Sequence, residues 1–150
     1  MAARQRAVAH KPIVLRRAVA QGRLTLRAST VGAIRRKRVA KGDPIAAGEL
    51  AGLLAMKRTP ELIPHCHVVP LTGSHVTIVP TARGVRITAE AQSRGQTGVE
   101  MEALVGATVG LLTVWDMVKY LEKDARGLYP ATALGPVRVR VKEKERIPKE

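Results

Sequence analysis

Two short stretches of this 150-residue chain carry residue types and spacings suited to proton transfer. In Gly95-Gln96-Thr97-Gly98-Val99-Glu100-Met101-Glu102, two carboxylates follow a glycine-flanked threonine. In Trp115-Asp116-Met117-Val118-Lys119, a carboxylate precedes an ammonium by three positions. Positioned carboxylates and amines deliver protons to, or take them from, reacting heteroatoms. If the second stretch is helical, Asp116 and Lys119 share one face. An exposed ion pair of little energetic weight is the plainer account of those two residues. Thr97 and Glu100 have the spacing of a capping box, with the threonine accepting from the Glu100 amide and the glutamate reaching back to Thr97. Glu102 then lies in the first turn, where the helix dipole favours a carboxylate.

His65-Cys66-His67 forms a third cluster. In an extended segment the two imidazoles point to one side. Two imidazoles and one thiol are too few for a closed zinc site, so histidines handling protons or phosphates are expected rather than a metal centre. Cys66 as a nucleophile would need a base and oxyanion donors that the sequence does not specify, and a small buried residue is the simpler role. Lys41-Gly42-Asp43 lacks the glycine-rich lead-in of a P-loop, and alone Lys41, Lys57 and Arg58 read as solvated cations.

The elements that must position these groups follow from period and punctuation. The helix bearing both carboxylate stretches is predicted over about 98–123. Glu102 and Asp116 are fourteen residues apart, about 21 Å along a straight helix, so one straight helix cannot bring both to one reacting atom. Either Gly106 and Gly110 mark a bend, or the site joins ends of this helix from different subunits. Asp43 as N-cap and Pro44 at the first helical position open another helix that runs to about Lys57. Its Gly48 and Gly52 would admit a closely packed neighbour. Ser29 or Thr30 is expected to cap a short helix ending in Arg35-Arg36-Lys37-Arg38, and Pro60, Pro64 and Pro70 make the segment around them irregular. Short strands are expected at 13–20 and 22–27, and a hairpin at 75–79 and 85–91 around Ala82-Arg83-Gly84. In the last strand Val137, Val139 and Val141 alternate with Arg138, Arg140 and Lys142, giving one wet face. This mixture predicts an α+β fold: an antiparallel sheet packed with helices in a single catalytic domain, 1–150, with a mobile arm at 1–10 and a solvated tail at 143–150.

The formal net charge is +14, and residues 1–42 hold twelve Lys or Arg and no acid. Such a field attracts polyanions, and the competing reading is a basic nucleic-acid-binding protein without catalysis. Only 2% of residues are aromatic, which removes the usual stacking platforms, and that reading leaves Asp116, Glu100 and Glu102 without a role. A single cysteine excludes an internal disulfide. The longest uncharged apolar run, 103–115, is too short to span a bilayer. No membrane association is expected, and a cytoplasmic location is.

Taken jointly, these segments resemble the cyclic pyranopterin monophosphate synthases, the C protein of molybdenum cofactor biosynthesis. The likeness runs from about Lys11 to Lys123. It rests on Lys41-Gly42-Asp43, Ala51-Gly52, Lys57-Arg58-Thr59, Leu62-Ile63-Pro64 with Cys66-His67, the stretch from Gly95 to Leu104, and Leu112-Thr113-Val114-Trp115-Asp116-Met117 with Lys119. The family usually reads Leu-Cys-His-Pro where this chain has His65-Cys66-His67-Val68. The resemblance implies a ferredoxin-like subunit in a homo-oligomer, a hexamer built as a trimer of dimers, with active sites at subunit boundaries. It implies rearrangement of a guanosine-derived nucleotide, 3′,8-cyclised dihydro-GTP, to cyclic pyranopterin monophosphate with release of pyrophosphate. By the same resemblance Asp116, Lys119 and Lys41 are catalytic. His65, Cys66, His67, Met101, Glu102, Glu100, Lys57, Lys11 and Arg16 hold substrate, with Lys11, Arg16 and Lys57 suited to the triphosphate. No cofactor is implied beyond a divalent ion, such as magnesium, accompanying the triphosphate.

Overall fold

A computed structural model describes residues 2–147. The elements follow in the order β1 (Val14–Thr25), α1 (Ala28–Arg35), α2 (Pro44–Lys57), α3 (Thr59–Leu62), β2 (Leu71–Thr81), β3 (Gly84–Gly95), α4 (Glu100–Glu122) and β4 (Ala133–Glu145). The strands lie side by side as β2-β3-β1-β4, every neighbouring pair antiparallel. With α1 and α3 as short insertions, this is the βαββαβ order and strand arrangement of a ferredoxin-like α+β fold.

Strand alternation sends Ala18, Ala20 and Leu24 of β1, Val76 and Ile78 of β2, and Val85, Ile87, Ala89 and Ala91 of β3 to the same side, where all are buried. Leu111, Val114 and Val118 of α4 close that core from above. Each buried valine, leucine or isoleucine among these contributes about 1.5–3 kcal/mol by leaving water, so an aliphatic core suffices without phenylalanine. α4 is long and apolar enough to cross a membrane by length and composition alone, but ten of its residues are buried in this layer.

Asp43 caps α2 as expected, accepting hydrogen bonds from the amides of Ile45 and Ala46, with Pro44 in the first turn. Gly48 and Gly52 then meet the backbone of α4. A Cβ at Gly48 would stand 2.9 Å from the Gly110 carbonyl oxygen, and one at Gly52 2.8 Å from that of Gly106. Gly106 and Gly110 therefore exist for this backbone-to-backbone crossing. α4 runs through both as one unbroken helix from Glu100 to Glu122.

Several local expectations are corrected. The capping box does not form: α4 starts at Glu100 with Val99 as N-cap and no side-chain cap, because Glu100 instead accepts from the Lys142 ammonium at 3.1 Å. Neither Ser29 nor Thr30 caps α1, whose N-cap is Arg27. The Thr30 hydroxyl donates to the wholly buried Glu122, which also accepts from the Arg27 amide at 3.1 Å and from the Thr132 hydroxyl at 2.7 Å. This carboxylate ties the end of α4 to the segments entering α1 and β4. The two strands expected at 13–20 and 22–27 are one, since Gly22 does not break the ladder. It sits where a Cβ would press on Val137 and Leu111. β4 extends to Glu145, so 143–145 are exposed, as expected of the C-terminal residues, but belong to the sheet; 148–150 lie outside the described residues.

β4 also does not keep one wet face. Val141 pairs with Val19 and Val139 with Ala20, leaving Arg140 as an extra residue in a bulge. A bulge reverses the alternation beyond it. Arg138 opposite Gln21 faces away from the helices, whereas Lys142 opposite the core residue Ala18 faces them.

Candidate active site

The C-terminal half of α4 and the loop before α2 bring three of the expected groups together. Lys119 donates to one carboxylate oxygen of Asp116 at 2.7 Å, and Lys41 reaches the other at 3.4 Å and the Asp116 carbonyl at 3.1 Å. Lys41 is held there by a tight loop that Gly42 turns at φ +106°, and the Tyr120 hydroxyl accepts from the Ala40 amide at 2.8 Å. All three side chains remain roughly half exposed. Hydrogen bonds from Lys119 and then Lys41 hold the Asp116 carboxyl below its ordinary range, and the bond to Asp116 raises the Lys119 ammonium. The cluster is thus a carboxylate held between two ammonium groups. Lys41 and Asp116 meet within one chain.

The N-terminal end of α4 gathers a different set. Glu102 is buried, and its carboxyl is raised by burial first and then by the charge of Glu100. The Cys66 thiol is raised by burial, then by Glu102 and Glu100, so it stays protonated rather than nucleophilic. One oxygen of Glu100 pairs with Lys142, while the other is buried without a hydrogen-bond partner among the described residues. Arg16, Glu100 and Lys142 line one hollow of about 250 Å³. Arg16 also donates to the Gly95 carbonyl at 3.3 Å.

The residues before β1, outside any helix or strand, cross this end as a largely exposed segment with a turn in which the Lys11 amide donates to the Val8 carbonyl at 2.9 Å. Gln5 donates to the Cys66 carbonyl at 2.7 Å and to that of His65 at 3.4 Å. Gln96 donates to the carbonyls of Ala9 and Lys11 at 2.9 and 3.0 Å. Lys11 is therefore anchored through its backbone with its side chain exposed. His65 is exposed, His67 half-buried, and Met101 exposed on the first turn of α4. Lys57 lines a separate hollow with residues 69–74. Among the described residues no three His, Cys, Asp or Glu side chains converge as a metal site.

Lys142, Gln5 and Gln96 were missed as site residues by sequence reasoning. Lys142 was hidden by the bulge at Arg140, since unbroken alternation puts it with Arg138 on the wet face. The two glutamines act on backbone carbonyls distant in sequence, which no local pattern encodes.

The whole run from Arg6 to the end of β4 falls within a single family match: the MoaC family model covers residues 6–145. The chain belongs to the MoaC family. Among MoaC relatives, a protein of Archaeoglobus fulgidus named "Probable cyclic pyranopterin monophosphate synthase" is 53% identical over 132 residues, covering 88% of this chain and 85% of the relative. One of the same name from Pyrococcus abyssi is 49% identical, covering 88% and 83%. A Methanothermobacter thermautotrophicus protein named "Probable cyclic pyranopterin monophosphate synthase accessory protein" is 49% identical over 139 residues, covering 91% and 86%. The MoaC match embraces both ends of α4, so it provides a frame for both polar clusters.

Proposed function

We propose that this chain is a cyclic pyranopterin monophosphate synthase of molybdenum cofactor biosynthesis. It takes 3′,8-cyclised dihydro-GTP, rearranges the purine-derived ring system to the pyranopterin, closes the cyclic phosphate and releases pyrophosphate. The observation that carries the chemistry is the convergence of Lys41, Asp116 and Lys119 on the framework shared with the relatives so named.

Opening and reclosing the ring system requires proton transfers at several heteroatoms. A carboxyl raised by burial and a carboxylate lowered by cations suit different parts of that work, the first biased toward its protonated form and the second toward its charged form. Glu102 is the first of these and Asp116 the second. Asp116 orients the Lys119 and Lys41 ammoniums and raises that of Lys119, and these face the reacting atoms as donors. Lys11, Arg16 and Lys57, with Lys142, meet the triphosphate, whose leaving pyrophosphate develops charge that fixed cations stabilise. His65, Cys66, His67, Met101 and Glu100 shape the substrate pocket. A divalent ion accompanying the triphosphate is compatible with this inventory.

The two carboxyl groups act on one substrate only if they come from two copies of the chain, because an unbroken helix keeps them about 21 Å apart. Leu50 and Leu54, one turn apart on α2, and Leu112 on α4 are exposed at 58%, 48% and 53%. Such apolar side chains on the helical layer suit cover by a second copy. A closed homo-oligomer, the hexamer built as a trimer of dimers, satisfies both requirements.

The test is incubation with purified 3′,8-cyclised dihydro-GTP. Pyrophosphate and cyclic pyranopterin monophosphate should appear in equal amounts. Salt-sensitive RNA binding with no turnover of the nucleotide would contradict the reading.

A further inference from the structure

The face of the sheet turned away from the helices is divided into two unlike halves. At one end Arg17 meets Glu90 through two bonds of 2.9 Å and Glu143 at 3.2 Å, and Gln92 supports Glu90. There the chain supplies carboxylates to its arginine. At the other end Arg23 of β1 stands directly opposite Arg86 of β3. Arg138, next along β4 and opposite Gln21, joins them, and the bulge brings in Arg140. The four guanidiniums, with Gln21 and Thr81, line a hollow of about 400 Å³. Among the described residues none of the four has a carboxylate within ion-pair distance.

Like charges directly opposite on antiparallel strands destabilise the pair. Folding therefore does not account for the Arg23–Arg86 register, while a multiply charged anion lying between them would. Guanidinium groups bind phosphate oxygens through paired, directional hydrogen bonds. No aromatic side chain lines the hollow, and its charged groups are four guanidiniums, so its chemistry favours phosphates over a base. We propose that Arg23, Arg86, Arg138 and Arg140 form a binding site for a small oligophosphate, pyrophosphate or triphosphate. The site lies on the sheet face opposite Lys41, Asp116 and Lys119, and it stands whether or not the synthase reading holds.

The experiment is calorimetric titration of the intact protein with pyrophosphate and with tripolyphosphate at physiological salt, paired with thermal melts. Any second binding event at the proposed triphosphate cations is identified by its loss in Arg16→Gln with Lys142→Gln and by its survival in the variants of the four sheet-face arginines. Arg86→Gln and Arg138→Gln should each weaken the other event by roughly tenfold or more. Arg86→Lys should give an intermediate loss, since it keeps charge but not the paired bonds. Without ligand, Arg23→Gln should melt above the wild type by relieving the opposed pair, and added tripolyphosphate should raise its melting temperature less. Unchanged affinities in the Gln variants would overturn the proposal, as would a ligand-free Arg23→Gln that melts below the wild type. So would a duplex RNA that binds through these arginines while neither small anion does.

Discussion

At its N-terminal end α4 holds Glu102 buried, its carboxyl raised by loss of water, whereas fourteen residues on it presents Asp116 half exposed between two ammoniums that lower it. The residue class is the same and the helix is the same; the surroundings are opposite. Desolvation disfavours the charged form, and hydrogen bonds from cations favour it. One helix thus carries one carboxyl that holds its proton more tightly than usual and one that holds it less tightly; under the proposed function, their spacing lets both serve one substrate only across two copies of the chain.

The largest expected effect is at the exposed end. Asp116→Asn and Lys119→Met should each lower kcat by roughly 10²-fold or more while leaving the fold intact, measured as pyrophosphate release against a melt. A merely structural ion pair at this exposure would leave kcat near that of the wild type.

The buried end is sharpened by pH. A carboxyl raised in the native state makes the folded protein hold more protons than the unfolded one above the ordinary value of 4.5. Stability therefore falls as pH rises from that value through the native one. Glu102→Gln should remove this slope, melting above the wild type at neutral pH yet losing turnover. Asp116 has the opposite sign: its small contribution is present above the ordinary value of 3.8 and is lost as pH falls through the lowered native one. Asp116→Asn should thus alter the melting temperature only modestly, and chiefly relative to strongly acidic conditions. A Glu102→Gln variant less stable than the wild type at neutral pH would erase the contrast between the two ends.

The smallest effect is expected at Cys66. Its thiol is kept protonated by burial and by Glu102 and Glu100, so Cys66→Ala should change kcat only a few-fold. A loss comparable with that of Asp116→Asn would give the thiol a chemical role.

How far these regions could be read from sequence follows the range of the forces involved. Asp43-Pro44 announced α2 because capping is local, and the two-residue turn between β2 and β3 was legible from Ala82-Arg83-Gly84. Asp116 and Lys119 could be placed on one face by helical spacing, and Gly48 with Gly52 signalled a close crossing. Thr97 and Glu100 misled because a lysine from β4 competes for Glu100, a partner forty-two residues away. The buried Glu122 and its three donors were invisible for the same reason, as was the bulge that turns Lys142 toward Glu100. Family resemblance named Lys41 and Asp116 as catalytic, but that they meet within one chain across seventy-five residues was in no local pattern.

The division of labour along α4 is tested most directly by mixing lesions. Glu102→Gln and Asp116→Asn chains, each inactive alone, are combined by co-expression or subunit exchange and assayed for pyrophosphate release. If each site takes Glu102 from one copy and Asp116 from another, random mixing of paired subunits rebuilds about a quarter of the sites. Mixing Lys41→Ala with Asp116→Asn should restore nothing, since those two residues meet within one chain. Recovery near a quarter in the first mixture and none in the second is the predicted result; no recovery in the first, with mixed assemblies demonstrated, would contradict a site shared between the two ends of the helix.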